Sequence, residues 1–117
     1  MFVDVFGDSP QVKVLDFLTD HMDYDYTMTD IADGAGIARP TLYKIFGDLL
    51  EAELVISTRK VGVAHLYKLN TENPIVKALV KFDFELSKLM VKKAAEQVEE
   101  ATATAATVDK KAKANVT

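Results

Sequence analysis

Two helix starts and one helix stop are crowded between Thr27 and Pro40, and this crowding constrains the fold more than any other feature of the chain. Thr27 and Asp30 stand in the S/T-x-x-D/E relation of a capping box, in which each side chain satisfies the other residue's free backbone N–H. A short helix follows, with Ile31, Ala32 and Ala35 as its small apolar face. Gly36 falls where a helix ends in a left-handed residue, and Ile37 anchors the turn to the core. A further helical pattern begins at Arg39, where Pro40 is tolerated because the first turn of a helix does not need its N–H. The sequence thus predicts a short helix, a tight turn and another helix.

The flanking segments frame that unit. After a short apolar lead-in, Ser9-Pro10 reads as an N-cap followed by proline at the first helical position. Val14, Leu15, Leu18 and Met22 then recur at helical spacing, and residues 23–26 form a connector. From Arg39 to about Glu53, Leu42, Ile45, Phe46, Leu49 and Leu50 share one face. The opposite stripe, Pro40, Tyr43, Lys44, Gly47 and Glu51, is left for solvent or a partner. Gly47 costs this helix roughly 1 kcal/mol relative to alanine.

Residues 54–58 and 64–69 are rich in β-branched and aromatic residues and predict a hairpin turning at 59–63, with Gly62 in the turn. Asn73-Pro74 repeats the cap-plus-proline signature and opens a long helix without a breaker. That helix carries two apolar stripes. Ile75, Leu79, Phe82, Leu86 and Leu89 follow one spacing, while Val76, Val80, Val91, Ala94 and Val98 lie on a flank interrupted by Asp83 and Ser87. One stripe can cover the domain, and a second calls for another chain. Ile75, Leu79, Phe82, Leu86, Leu89 and Met90 are the expected dimer interface. The expected divisions are a first domain over 1–72, a long helix over 73–106, and a flexible, low-complexity tail over 107–117.

A chain of 117 residues has room for one modest core. The absence of cysteine excludes disulfides, thiolate metal sites and thiol redox chemistry. The first ten residues lack a basic region and carry Asp4 and Asp8, unlike a secretory signal, and no apolar run approaches the roughly 20 residues that span a bilayer. No membrane partner and a cytoplasmic location are expected. The net charge of −4 argues against a nucleic-acid partner, but its distribution matters more. Acidic residues dominate up to Asp33, whereas Arg39, Lys44, Arg59, Lys60 and Lys68 outnumber Asp48, Glu51 and Glu53 further on. Asp20, His21 and Asp23 suggest metal ligands, yet no second histidine lies nearby in sequence, and His65 stands alone on the second strand. No glycine-rich phosphate loop or nucleophile–histidine constellation is present. No metal, no cofactor and no enzymatic activity are expected.

The order of helix, short helix, tight turn, helix, hairpin and long helix is that of a winged helix-turn-helix. The segment Phe6-Gly7-Asp8-Ser9-Pro10 through Leu18 resembles the opening of MarR-like and ArsR-like archaeal and bacterial regulators. Residues 27–32 followed by 38–44 resemble their helix-turn-helix, and residues 51–55 with 66–69 the two ends of their wing. Ala38 departs from the serine or threonine that often caps the recognition helix in these regulators, and the wing is short with few bases. The resemblance, over roughly residues 6–92, implies a mainly α fold with a small β-hairpin wing and a long C-terminal helix. It also implies a homodimer that binds double-stranded DNA in transcriptional regulation, at the nucleoid.

On that reading the N-terminal turn of the helix at 39–53 enters a major groove about 12 Å wide. Arg39 pairs with a guanine edge or a phosphate, Thr41 meets a thymine methyl, and Tyr43 and Lys44 complete the surface, with Pro40 beside them. Arg59 and Lys60 at the wing reach the flanking backbone. Thr27 and Thr29 join the free N–H groups of their helix on a phosphate. Two alternatives stand beside this one: a winged helix used as a protein-interaction module, which the net negative charge favours, and a nucleoid or plasmid-partition DNA binder. A small-molecule effector is left open; it would bind at the dimer interface or in the groove beside the long helix.

Overall fold

A computed structural model describes the backbone of residues 1–107 and the side chains of residues 1–97. The expected tail lies outside these residues from 108 onward. The elements are α1 (Phe2–Phe6), α2 (Pro10–Asp20), α3 (Met28–Ala35), α4 (Arg39–Glu51), β1 (Val55–Val61), β2 (Ala64–Leu69) and α5 (Pro74–Thr107).

The local signals act as their chemistry requires. The Ser9 hydroxyl accepts from Val12 N–H, and Pro10 opens α2. Both bonds of the capping box are made: Thr27 Oγ1 accepts from Asp30 N–H, and Asp30 Oδ2 from Thr27 N–H, each at 3.1 Å. Gly36 ends α3 at φ 72°, ψ 36°, and Ile37 N–H then bonds Ala32 C=O at 3.0 Å. This closes α3 in the left-handed manner that glycine permits. The core joins Val14 and Leu18 of α2, Ile31 and Ala32 of α3, and Leu42, Ile45, Phe46 and Leu49 of α4 to Val55, Leu69 and Val76. Leu50, expected with them, is 36% exposed at the edge of the buried face.

The lead-in is itself helical. A five-residue helix is too short to persist alone, and α1 is held by a cap from another element. Asp16 of α2 accepts from the Phe2 and Val3 N–H groups at 2.6 and 3.0 Å, and from the Met1 ammonium at 2.9 Å. Burial pushes the Asp16 carboxyl up, but these bonds outweigh it and hold the group below its usual range. Phe2 is buried, and its ring stacks on Phe82 of α5 at 5.9 Å, with Phe6 also 5.7 Å from Phe82.

The hairpin differs from expectation at its tip. β1 runs on to Val61, so the turn is Gly62–Val63 rather than 59–63. Only Gly62 of these two has positive φ, 65°, as a two-residue type II′ connection demands. A bulge displaces Thr58, because Ser57 pairs with Tyr67 and Arg59 with the adjacent Leu66. Tyr26, expected in a connector, exchanges two backbone bonds of 2.8 Å with Tyr67, adding a third chain segment along β2.

Between α4 and β1, Glu53 adopts φ 58°, a left-handed conformation that costs a non-glycine residue about 1 kcal/mol. Two side-chain amides hold its carbonyl there: Asn70 Nδ2 and Asn73 Nδ2, each at 2.9 Å. Asn73 also accepts from Ile75 N–H at 2.8 Å, so the residue that caps α5 grips the end of α4.

The chain forms two compact units, Met1–Asp83 and the part of α5 from Phe84 onward. The first unit includes the start of α5, where Val76 is fully buried and Val80 packs on the core. Asp83 lies on that same flank, with Oδ1 buried and unpaired. Burial first, then the nearby Asp20, raises its pKa. Ile75 and Phe82 on the other stripe are 59% and 39% exposed. In the second unit Phe84, Leu89, Met90 and Val91 are exposed, and Lys88 lies 5.0 Å over the Phe84 ring. Among the described residues no helix is long and apolar enough to cross a membrane.

Candidate nucleic-acid interface

The buried face of α4 determines what its other face can do. With Leu42, Ile45, Phe46 and Leu49 in the core, Pro40, Tyr43, Lys44, Gly47 and Glu51 all emerge exposed, as the period predicts. Thr41 is half-buried at the edge of this stripe. An alanine Cβ at Gly47 would meet nothing within 4 Å, so no intramolecular packing calls for glycine there.

The tight turn brings the starts of α3 and α4 together. Arg39, the first residue of α4, donates from Nη1 to Thr29 Oγ1 at 3.2 Å. Both residues are exposed. The Thr27 hydroxyl already accepts within the capping box, so its first role is to cap the start of α3. Ala38 offers no side-chain cap to α4, whose first N–H groups are left open.

On the wing the two expected cations part. Arg59 lies within β1, away from the turn, and its guanidinium forks onto Asp25: Nε to Oδ2 at 2.9 Å and Nη2 to Oδ1 at 3.1 Å. The Thr58 hydroxyl donates to the same carboxylate. Consecutive strand residues ordinarily point to opposite faces, and the bulge at Thr58 allows both to converge on Asp25. Arg59, then Thr58, hold the Asp25 carboxyl well below the usual carboxylate range. Lys60 is exposed across from His65. The tip itself is apolar, with Val61 55% and Val63 94% exposed. Sequence reasoning missed Asp25, which carries no local signal of its contact with a strand residue far along the chain.

His21 accounts for itself within the fold. Its Nδ1 lies 2.8 Å from Phe17 C=O and its ring stacks on Phe17 at 4.5 Å. Among the described residues no cluster of three or more histidine, aspartate or glutamate side chains is placed to hold a metal ion.

No family model matches the chain, and no curated protein is significantly similar to it. Solved structures do match. MepR, a transcription regulator of the Staphylococcus aureus multidrug efflux pump MepA, superposes with a TM-score of 0.58 at 20% identity, over 81% of this chain and 74% of that one. The adhesin competence repressor AdcR of Streptococcus pyogenes gives 0.58 at 14% identity, over 74% of this chain and 63% of its own. Lactococcus lactis ZitR gives 0.60 at 17%, over 85% and 74%. Capped short helix, left-handed glycine turn, open-faced α4, two-stranded hairpin and long closing helix together make this chain a winged helix-turn-helix, the fold it shares with these three proteins.

Proposed function

We propose that the chain binds double-stranded DNA as a homodimer and regulates transcription, with α4 in the major groove and the wing on the flanking backbone. One observation carries this reading: α4 is buried along one face and leaves Arg39, Pro40, Tyr43 and Lys44 uncovered on the other, beside Thr29. A helix so mounted can enter a groove about 12 Å wide with its first turns leading. Arg39 and Lys44 supply charge and donors, Thr41 a methyl for thymine, and Tyr43 a ring with a hydroxyl. On the wing, Lys60 takes the phosphate contact, while Arg59 serves chiefly to brace the hairpin against Asp25. The similar fold of MepR, described as a transcription regulator, supports the same use.

Dimerisation is assigned to α5. Its flank at Val76 and Val80 is spent on the core, which leaves Ile75, Phe82, Leu89 and Met90 exposed, with Leu79 and Leu86 half-buried among them. An apolar stripe of this kind is covered by a second chain. Selection from random duplexes tests the proposal: an enriched palindrome with half-sites about 10 bp apart, or a multiple, is the expected product. The apolar wing tip, with Val61 and Val63 exposed, favours a second reading, a protein-interaction module, for which no duplex should be enriched.

A further inference from the structure

We infer that Thr29 is a positioning residue for Arg39: its hydroxyl holds the guanidinium in the orientation that reads a base edge. The inference rests on the DNA-binding reading and deepens it. Arginine has among the most rotamer freedom of any side chain, and an exposed one ordinarily samples many orientations. Arg39 has no acidic partner among the described residues, and its guanidinium donates from Nη1 to Thr29 Oγ1 at 3.2 Å. That bond engages one of the five N–H donors of a guanidinium. The others stay open, enough for a two-bond contact with the O6/N7 edge of guanine. The capping box built on Thr27 and Asp30 sets the backbone from which Thr29 projects, and the Gly36 turn sets α4 against it. Both ends of the Arg39–Thr29 bond are therefore fixed by elements with independent anchors. A neutral acceptor suits this role, because a carboxylate would compete with DNA for the guanidinium.

The test compares Thr29→Val, which keeps the branched shape and removes the acceptor, with Thr29→Ser, which keeps the acceptor. Each is titrated with the duplex selected by the wild-type protein and with a scrambled duplex. Thr29→Val is expected to weaken the selected duplex about 3–10-fold and the scrambled one little, as for loss of one hydrogen bond. The salt slope should stay unchanged, since no phosphate contact is lost, and Thr29→Ser should bind like wild type. In an Arg39→Ala background, Thr29→Val should have no further effect on the ratio. In the free protein, ¹⁵N relaxation at Arg39 Nε should show greater mobility in Thr29→Val than in wild type. A wild type that discriminates between duplexes, with Thr29→Val discriminating equally well, overturns the positioning role and leaves DNA binding standing. An equal loss on both duplexes that persists without Arg39 also overturns it and makes Thr29 a direct phosphate contact. A wild type that binds no duplex removes the DNA-binding reading and this inference together.

Discussion

Replacing Gly34 and Gly47 in turn by alanine should move stability in opposite directions, although both are helical and exposed. Alanine gains about 1 kcal/mol over glycine inside a helix. At Gly47 nothing lies within 4 Å of the new Cβ, so that gain is expected nearly whole. At Gly34 the Cβ would sit 2.1 Å from Cε1 of Phe17 and 2.4 Å from its Cδ1, against an ordinary carbon contact of about 3.5–4.0 Å. The ring cannot simply swing aside, because it stacks on His21 at 4.5 Å and meets Tyr26 edge-on at 5.1 Å. Overpacking of this kind costs about 1–3 kcal/mol, which leaves Gly34→Ala destabilised by about 1 kcal/mol after the helical gain. Urea unfolding of both variants at one protein concentration should show midpoints on either side of wild type, and the melting temperatures should shift by about 4 °C per kcal/mol. In a Phe17→Ala background, Gly34→Ala should become neutral or stabilising. If Gly34→Ala alone stabilises as much as Gly47→Ala, the close approach of α3 to Phe17 is wrong.

Other substitutions probe single devices. Glu53→Gly relieves a left-handed non-glycine residue and should stabilise by ~0.5–1 kcal/mol in the same unfolding assay, partly offset by the entropy glycine adds to the unfolded chain. Asp16→Ala removes the cap of α1 and should cost ~1–2 kcal/mol, with hydrogen exchange rising over residues 2–6. Asp83 has a raised pKa in the folded chain, so its stabilising contribution is present below the unfolded carboxyl pKa and is lost as pH rises through the folded value. Asp83→Asn should therefore raise the melting temperature more at pH 7 than at pH 4; an equal shift at both would refute the assignment.

Signals that act over a few residues were legible in the sequence. The capping box, the Gly36 turn, both cap-plus-proline starts and the period of α4 each specify their own backbone, and with them the exposed stripe from Pro40 to Glu51. What escaped is tertiary. α1 exists because Asp16, on another helix, caps it. Tyr26 pairs with Tyr67 only once the hairpin is in place. The bulge at Thr58 and the capture of Arg59 by Asp25 join segments on either side of the helix-turn-helix. The left-handed Glu53 depends on amides from Asn70 and Asn73. At the candidate site the same division holds: the face presented by α4 follows from periodicity, whereas the Arg39–Thr29 bond follows from how two helices meet.

Binding titrations of wild type, Arg39→Ala, Lys44→Ala and Lys60→Ala, on a selected and a scrambled duplex at several salt concentrations, separate base reading by α4 from backbone contact by the wing. Loss of Arg39 or Lys44 should weaken the selected duplex by ~1–3 kcal/mol and the scrambled one less, because base contacts on α4 are removed. Loss of Lys60 should weaken both equally and reduce the salt slope by about one unit, as for one phosphate contact. Wild-type protein that shows no salt-dependent binding to any duplex, or three variants indistinguishable from it, would rule out DNA binding by α4 and point to a protein partner for its exposed face.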